Sequence, residues 1–285
     1  MTKNTLPNTK PIMCKIIEKI ENCEDTFVFL LDLPVNVQGA KPGQFIMLWV
    51  PGIDEFPVGV AGFDNNILEI GVAKMGPGTE ALLKMDVGEF LGIRGFYGKS
   101  FQPPKNMKVN HLLIGGGFGM TPIKMLTTSL LKKEEKEEIH IFEGARNKSR
   151  LMYLEWFQKL HDENKLVFHV CTDDGSYGYQ GFPTLDLEMF LQETKTPSVL
   201  YVAGPERMMK AIFEIGKKYE NVIDMQMSLA DRYMRCGFGV CSYCAVDPTG
   251  WRICVDGPVF NMKQLEQISD FGTYRRLDTG EKQRI

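Results

Sequence analysis

The sequence predicts a β-barrel plus α/β fold in three parts: an antiparallel barrel, a doubly wound α/β domain and a small C-terminal module. Short strands separated by turn residues fill the first third of the chain, and strands alternate with helices in the middle. Four of the seven cysteines crowd together near the C-terminus. A chain of 285 residues with 44% apolar content can form two cores and a small module. The predicted domains are 1–104, 105–225 and 226–285.

The N-terminal region contains short apolar or alternating segments typical of antiparallel strands. Turn residues such as Lys41-Pro-Gly43 and Pro51-Gly-Ile-Asp54 separate them. One short helix is predicted over 79–84, directly after Gly76-Pro-Gly78. Strands at this spacing predict a small barrel or sandwich. The predicted strands are 12–20, 26–33, 43–50, 67–73 and 90–93.

The hydrophobic pattern changes after Gln102-Pro-Pro-Lys-Asn106, a polar stretch with two prolines that we expect to be a domain boundary. Beyond it, short buried strands alternate with helices, which predicts a parallel, doubly wound sheet. The charged run 132–138 is expected to be a solvated helix end. The predicted strands are 111–114, 139–145, 166–172 and 198–203. The predicted helices are 121–138, 152–163, 184–193 and 206–219.

Composition excludes several classes of partner. The net charge is −3, and the sequence has no long basic run, so a nucleic-acid partner is not expected. The N-terminus has no apolar leader and no apolar run approaches the length of a membrane span, so we expect a cytoplasmic protein without a membrane partner. Three isolated cysteines are expected to be buried, reduced thiols. They are Cys14, Cys23 and Cys171.

The C-terminal cysteines have the spacing C-x4-C-x2-C, followed after nine residues by a fourth. This is the plant-type spacing of a [2Fe–2S] cluster. Gly237 and Gly239 allow positive φ, which turns backbone N–H groups toward the sulfurs. The turn Asp247-Pro-Thr-Gly250 would bring the fourth cysteine back. A structural zinc site is the main alternative, and a disulfide framework a weaker one. The predicted ligands are Cys236, Cys241, Cys244 and Cys254.

Glycine loops in the middle region predict a nucleotide site. The first loop joins a strand to a helix, where backbone N–H groups and the helix N-terminus can bind phosphate. Two further loops follow other strands at the same edge of the sheet, where ligands of such folds bind. Such loops can also be simple turns. The predicted residues are Gly115, Gly116, Gly117, Gly119, Thr121, Pro122, Asp173, Asp174, Gly204 and Pro205.

A similar loop lies in the barrel region. Gly76, Gly78 and Thr79 precede a helical turn and could hold a pyrophosphate. They could equally form an ordinary turn with Thr79 as the helix N-cap. The residues alone leave both alternatives open.

The order of these parts resembles the ferredoxin–NADP reductase superfamily, and within it the electron-transfer subunits of NAD-linked dihydroorotate dehydrogenases and the gamma subunits of sulfhydrogenases. The resemblance covers nearly the whole chain, and the cysteine block is its most specific part. Besides the four cysteines, the matching segments are Pro42-Gly-Gln-Phe45, Val50-Pro-Gly-Ile-Asp-Glu-Phe-Pro57, Gly115-Gly-Gly-Phe-Gly-Met-Thr-Pro122, Thr172-Asp-Asp-Gly-Ser-Tyr-Gly178, Gly204-Pro205, Asp256-Gly-Pro-Val-Phe260 and Phe271-Gly-Thr-Tyr-Arg-Arg276.

The resemblance implies a barrel that binds FAD, an α/β domain that binds NAD(H), and a [2Fe–2S] cluster. It also implies a hetero-oligomer, in which the cluster passes electrons between the FAD and the FMN of a separate catalytic subunit that oxidises dihydroorotate. No residue of this chain needs to act as a general acid or base. The histidines are therefore expected to be structural. They are His111, His140, His161 and His169.

The chain departs from the family at the FAD motif, where relatives commonly have Arg-Pro-x-Ser. Here the residues are Phe56, Pro57, Val58 and Gly59, so the arginine and the hydroxyl are missing. The resemblance still implies FAD binding, through the backbone of Gly59 and the loop 76–79. Two further departures are Ala203, where many relatives have cysteine, and the segment 95–98.

Three other functions stay open at this point. The partner could be a hydrogenase or another reductase. The chain could be a scaffold that has lost FAD, or an interaction module that binds zinc. Near the cysteines, Phe238, Val240 and Tyr243 could contact a partner subunit or could simply shield the cluster from water.

Overall fold

The computed structural model describes residues 10–34, 39–105, 107–133, 137–277 and 279–285. Residues 1–9, Asn106 of the predicted boundary and 134–136 of the predicted charged helix end lie outside these ranges. Among the described residues, no helix combines the length and the hydropathy needed to cross a bilayer.

The N-terminal part is an antiparallel barrel, as predicted. Its elements are β1 (Ile12–Cys23), β2 (Thr26–Asp32), β3 (Phe45–Val50), β4 (Asp54–Asp64), β5 (Ile67–Ala73), α1 (Pro77–Lys84) and β6 (Phe90–Tyr97). Within the described ranges, six strands close in the order β1-β2-β5-β4-β3-β6. Buried apolar side chains such as Phe29, Leu48 and Ile70 fill the interior. Alternating burial along the strands therefore forms the first core.

Strand β4 is absent from the sequence prediction, which treats its start as a turn. Pro57, Gly59 and Gly62 interrupt the β pattern of this segment, because proline and glycine are disfavoured inside strands. In the structure, β4 nevertheless pairs with β3 along its first half, with Pro57 opposite Met47. The predicted FAD motif therefore lies on a strand of the barrel.

The middle of the chain alternates strands and helices. The elements are β7 (Asn110–Gly116), a 3-10 turn (Gly117–Gly119), α2 (Met120–Leu131), β8 (Glu138–Ala145), a second 3-10 turn (Lys148–Arg150), α3 (Leu154–Asp162), β9 (Val167–Thr172), β10 (Tyr179–Gln180), α4 (Pro183–Glu193), β11 (Ser198–Ala203), α5 (Glu206–Gly216) and β12 (Val222–Ser228). The remaining elements are α6 (Ile253–Asp256), β13 (Val259–Asn261), α7 (Met262–Leu265), β14 (Tyr274–Arg276) and β15 (Lys282–Arg284).

In the described part of the chain, seven strands form one sheet in the order β10-β9-β8-β7-β11-β12-β13. All neighbours are parallel except β13, which pairs antiparallel with β12. The doubly wound sheet is thus confirmed. The last strand comes from the C-terminal module.

The predicted boundary between residues 225 and 226 lies inside β12. This strand carries Gln226, whose buried side chain accepts a hydrogen bond from the N–H of Gln102 at 2.7 Å and donates one to its carbonyl at 2.8 Å. Gln102, which lies in the segment after the barrel, is therefore held to β12 by two hydrogen bonds. We retain three domains as a proposal, with the last boundary best drawn after β12.

Two histidines, of which His140 is buried and His169 half-buried, form a chain of polar contacts beneath α4. His140 Nδ1 lies 3.2 Å from His169 Nε2, and His140 Nε2 lies 3.1 Å from Glu138 Oε1. His169 Nδ1 lies 3.9 Å from Asp186. Burial, followed by the neighbouring His140 and His161, lowers the pKa of His169 from its ordinary value of 6.5 to about 4. Burial also lowers the pKa of His140. These packed, polar-contacted positions are consistent with the structural role expected for both histidines, which stays a prediction.

The histidine pair makes stability depend on pH. Between pH 6.5 and 4 the unfolded chain binds more protons than the folded one, so the free energy of unfolding falls as pH is lowered through that window. Because His169 is partly exposed, solvent screening reduces the effect, and we expect the free energy of unfolding to fall by about 2 kcal/mol across this window. Urea denaturation at several pH values measures it. His169→Phe, which can stack on Phe142, should flatten the dependence; curves parallel to the wild type would contradict this origin.

Candidate functional site

The four predicted cluster ligands lie together at one end of the C-terminal module. Cys244 and Cys254 are buried, with their sulfurs 3.4 Å apart, and Cys236 and Cys241 are half-buried. The turn at 247–250 folds the chain back as predicted, because the Ile253 N–H donates to the Cys244 carbonyl at 3.0 Å. A tight loop and the adjacent hairpin thus supply the four thiols.

The loop favours the thiolate form of Cys236. Both glycines between Cys236 and Cys241 have positive φ, +82° and +84°. Burial opposes the charged form of Cys236, but hydrogen bonds from the backbone of Cys241, Phe238 and Val240 and from the Cys241 side chain lower its pKa to about 7. The predicted role of the glycines, to turn N–H groups toward sulfur, agrees with this geometry.

The second pair of thiols interacts through the contact between the Cys244 and Cys254 sulfurs. The hydrogen bond from Cys254 is the largest influence on Cys244, and it outweighs burial, so that the pKa of Cys244 falls to about 6. The same contact raises the pKa of Cys254. Among the described residues, no three His, Cys, Asp or Glu side chains converge on one point. Two pairs of thiols fit a cluster that takes two protein ligands on each iron better than a single zinc ion.

The cysteine loop packs directly against the barrel. A Cβ on Gly237 would lie 2.6 Å from Met47 Cγ, so glycine is required for this close approach. Arg94 Nη2, on β6, donates to the Cys236 carbonyl at 3.3 Å. The loop is therefore held against β3 and β6.

Arg94 is a site residue that the sequence analysis missed. Its guanidinium binds both carboxylate oxygens of Glu55 on β4, at 2.6 Å each, and lies 5.3 Å from the centre of the Phe238 ring. Such a bidentate pair is a strong orienting contact. The two residues are far apart in sequence and meet because β4 and β6 flank β3, so no local pattern could have indicated them.

The three apolar residues of the cysteine loop have different environments. Phe238 packs against Arg94 and Tyr97 on the barrel. Val240 is 73% exposed and Tyr243 is 38% exposed. Phe238 therefore shields the loop, whereas the other two present apolar surface to solvent.

The first glycine loop lies where predicted, at the carboxyl ends of the parallel strands. Gly115 pairs with Ala203 in register, and the 3-10 turn leads directly into α2. A Cβ on Gly119 would lie 1.9 Å from the Ala203 carbonyl oxygen. The start of α2, with Thr121 and Pro122, is therefore fixed against the end of β11.

The loop at Gly204 and Pro205 meets the first glycine loop. Gly204 has φ +151°, and a Cβ there would lie 3.0 Å from the Gly116 nitrogen. A Cβ added to Gly116 would lie 3.2 Å from Pro205 Cδ. By contrast, a Cβ on Gly117 would have no neighbour within 4 Å. The two loops form one backbone-lined crevice, as a dinucleotide requires.

The acidic pair of the prediction lies farther away. Asp173 and Asp174 follow β9, which β8 separates from β7. The Asp173 N–H donates to the Ala145 carbonyl, and the Asp174 carboxylate accepts from the Ser176 N–H at 2.9 Å. They lie at the same edge of the sheet as the glycine loops, but two strands away from the loop that follows β7.

The predicted FAD residues form two adjacent segments of the barrel. A Cβ on Gly78 would lie 2.9 Å from the Phe56 ring, so β4 and the start of α1 are in contact. Of the two alternatives for this loop, an ordinary turn with Thr79 as the N-cap of α1 is not what the structure shows. Gly76 is the N-cap, and Thr79 Oγ1, one turn later, accepts from the Gly76 N–H at 3.0 Å. The start of α1 is therefore capped by Gly76 and Thr79.

The space beside β4 tests whether FAD fits. A Cβ on Gly59 would have one neighbour, Thr121 Cγ2 at 3.8 Å, and a Cβ on Gly76 would have none. Both glycines thus leave free space beside α1 and α2 where other residues would place a side chain. Val58 is buried, whereas Pro57 is half-buried beside the opening. These residues fit a flavin nucleotide held by backbone groups and helix N-termini in place of the missing arginine.

Comparisons with known proteins agree with this geometry. The family described as the oxidoreductase NAD-binding domain matches residues 113–214. The family described as the iron-sulfur cluster binding domain of dihydroorotate dehydrogenase B matches residues 231–266. The second match covers all four cysteines.

Relatives match over nearly the full length. A probable dihydroorotate dehydrogenase B (NAD(+)) electron transfer subunit from Methanocaldococcus jannaschii is 38% identical over 273 residues, covering 96% of this chain and 98% of the relative. One of the same description from Pyrococcus furiosus is 41% identical, covering 84% and 86%. An NADH-dependent reduced ferredoxin-NADP oxidoreductase structure has a TM-score of 0.74 at 24% identity, covering 95% of each chain. At that identity the likeness concerns the fold.

The close contact at Gly119 can be tested by substitution. Gly119 has an ordinary helical φ of −58°, so alanine would be tolerated there but for the Ala203 carbonyl. We expect Gly119→Ala to lower the free energy of unfolding by about 2–3 kcal/mol through this overlap, measured by urea denaturation. Gly117→Ala, where only the positive φ opposes a side chain, should cost about 1 kcal/mol. Equal losses would contradict a steric origin.

Proposed function

The chain belongs to the family of dihydroorotate dehydrogenase B electron transfer subunits, and from that premise we propose that it carries electrons between NAD(H), FAD and a [2Fe–2S] cluster on behalf of a separate catalytic subunit. The observation that supports this most is the arrangement of the cysteine loop, which brings the four cysteines together and packs on the barrel through Gly237 and the bond from Arg94 to the Cys236 carbonyl. A structural zinc site would give no reason for that contact with the flavin-binding domain.

Each region of the chain would hold one group. FAD bound to the barrel would supply hydride exchange with NAD(H) and single-electron exchange with the cluster. The crevice between Gly116 and Gly204 would hold the pyrophosphate of NAD(H) at the start of α2. The start of α1 and the backbone of Gly59 would hold FAD. The four thiolates would hold the two irons. No side chain of this site needs to transfer a proton, because positioning is the protein's task.

The catalytic partner is proposed to be an FMN-binding subunit that oxidises dihydroorotate. The relatives' description as electron transfer subunits supports a partner of this kind. On this chain, exposed Val240 and Tyr243 lie on the loop that carries Cys241, where electrons would enter. We propose that this face contacts the partner.

Anaerobic purification of the chain tests the cofactor content. We expect about two irons and about two sulfides per chain, together with FAD. Cluster absorption without flavin would identify a scaffold that has lost FAD, and zinc without sulfide would overturn the cluster.

A substitution in the complex tests the electron path. Cys241→Ser should abolish reduction of NAD+ by dihydroorotate, because the cluster loses a ligand, while the partner continues to oxidise dihydroorotate with an artificial acceptor. Both rates are followed by absorbance. Cys23→Ser, on the barrel far from the loop in sequence, is the control and should keep both. NAD+ reduction that survives Cys241→Ser would contradict the proposed path, and a nickel–iron subunit co-purifying in place of the flavoprotein would contradict the partner.

A further inference from the structure

A buried ionic network joins the second glycine loop to the C-terminal module. Glu206 directly follows Gly204-Pro205 and is the first residue of α5, with only 6% of its surface exposed. Arg232, which is 7% exposed, donates to both carboxylate oxygens, from Nε to Oε2 at 2.9 Å and from Nη2 to Oε1 at 2.5 Å. The Gly272 N–H also donates to Oε1, at 2.8 Å. Residues from two other segments of the chain thus bind this one carboxylate.

The network continues to the cysteine hairpin. Arg232 Nη1 lies 2.9 Å from Asp270 Oδ1, and Nη2 donates to the Asp270 carbonyl at 3.2 Å. The other carboxylate oxygen of Asp270 accepts from the Asp247 N–H at 3.2 Å. Asp247 begins the turn that brings Cys254 back to Cys244. The contacts are therefore continuous from the glycine loop to the hairpin that holds two cluster ligands.

We propose that Arg232 is a positioning residue, which fixes the Gly204-Pro205 loop through Glu206 and sets its place relative to the cysteine module. This inference rests on the proposed function, because it takes that loop to be part of the NAD(H) site. Since the Gly204 backbone touches Gly116, a displacement of Glu206 would be transmitted to both walls of the crevice.

The charges explain why one guanidinium can hold the loop. Glu206 and Asp270 are both buried carboxylates, and Arg232 lies between them. Removing one partner from a buried ion pair leaves an uncompensated charge, which must move toward water. The N-terminus of α5 also favours a negative Glu206. In an Arg232 variant, the start of α5 and the loop before it would therefore have to shift.

An exposed ion pair between the same segments provides a matched control. Lys217, just past the C-terminus of α5, lies 3.1 Å from Glu266 in the cysteine module. Both side chains are about two-fifths exposed. This pair links α5 to the module without contacting the loop, so Lys217→Met should leave nucleotide binding unchanged.

The experiment measures NADH affinity and flavin reduction in the cofactor-loaded chain. We expect Glu206→Gln, which keeps the shape of the side chain, and Arg232→Lys, which keeps its charge, each to raise the Kd for NADH at least fivefold. Flavin reduction at saturating NADH should slow as well, whereas cluster reduction by dithionite should not. Titration calorimetry and anaerobic stopped-flow absorbance give these values. Iron and flavin contents equal to the wild type establish that the fold is kept.

The outcomes separate this inference from the proposed function. A wild-type chain that binds no NADH would refute the function itself. A Kd within twofold of the wild type in a loaded Glu206→Gln variant would overturn the inference. So would a Glu206→Gln variant that fails to retain its cluster, because the network would then serve assembly of the module and not placement of the loop.

Discussion

The antiparallel pairing of β13 with β12 is the contact on which the placement of the cysteine module depends. Three residue pairs join the strands, from Gln226 opposite Asn261 to Ser228 opposite Val259. Because β13 follows the fourth cysteine closely, this ladder fixes the cysteine module to the edge of the nucleotide-binding sheet. The same module packs on the barrel through Gly237 and Met47. The module therefore bridges the two larger domains.

Short-range features of the sequence were sufficient to predict much of the site. The cysteine spacing, the glycines at the sheet edge and the turn at 247–250 each describe a few consecutive residues whose geometry follows from backbone freedom. The division into barrel and doubly wound sheet likewise follows from a change of hydrophobic period. The family comparisons agree with the predicted NAD-binding and iron-sulfur domains, and the structure agrees with the predicted barrel and sheet.

The features that the sequence did not indicate depend on contacts between distant segments. Strand β12 was missed because Asp224 and Gln226 interrupt its apolar pattern, and burial of Gln226 is possible only because its amide bonds the backbone of Gln102. The Arg94–Glu55 and Arg232–Glu206 pairs have the same character. Each buries a guanidinium that would be read as a surface residue until the facing carboxylate is known.

The structure indicates how FAD could bind although the arginine and serine of the family's FAD motif are missing at residues 56–59. Without arginine and serine, β4 offers backbone at Gly59, and α1 offers an N-terminus whose cap is formed within the chain by Thr79. Recognition there would depend on shape and helix dipoles more than on a paired charge. Such a site would be less sensitive to salt than one built on a surface arginine.

The position of β13 also bears on biosynthesis. Because synthesis runs from the N-terminus, β12 is complete before β13 emerges, and until β13 pairs with it the outer edge of β12 has unpaired N–H and C=O groups. Open edges of this kind template aggregation. Because the cysteine hairpin and β13 are contiguous, folding of the cysteine module also covers that edge and removes it as a site for intermolecular strand pairing.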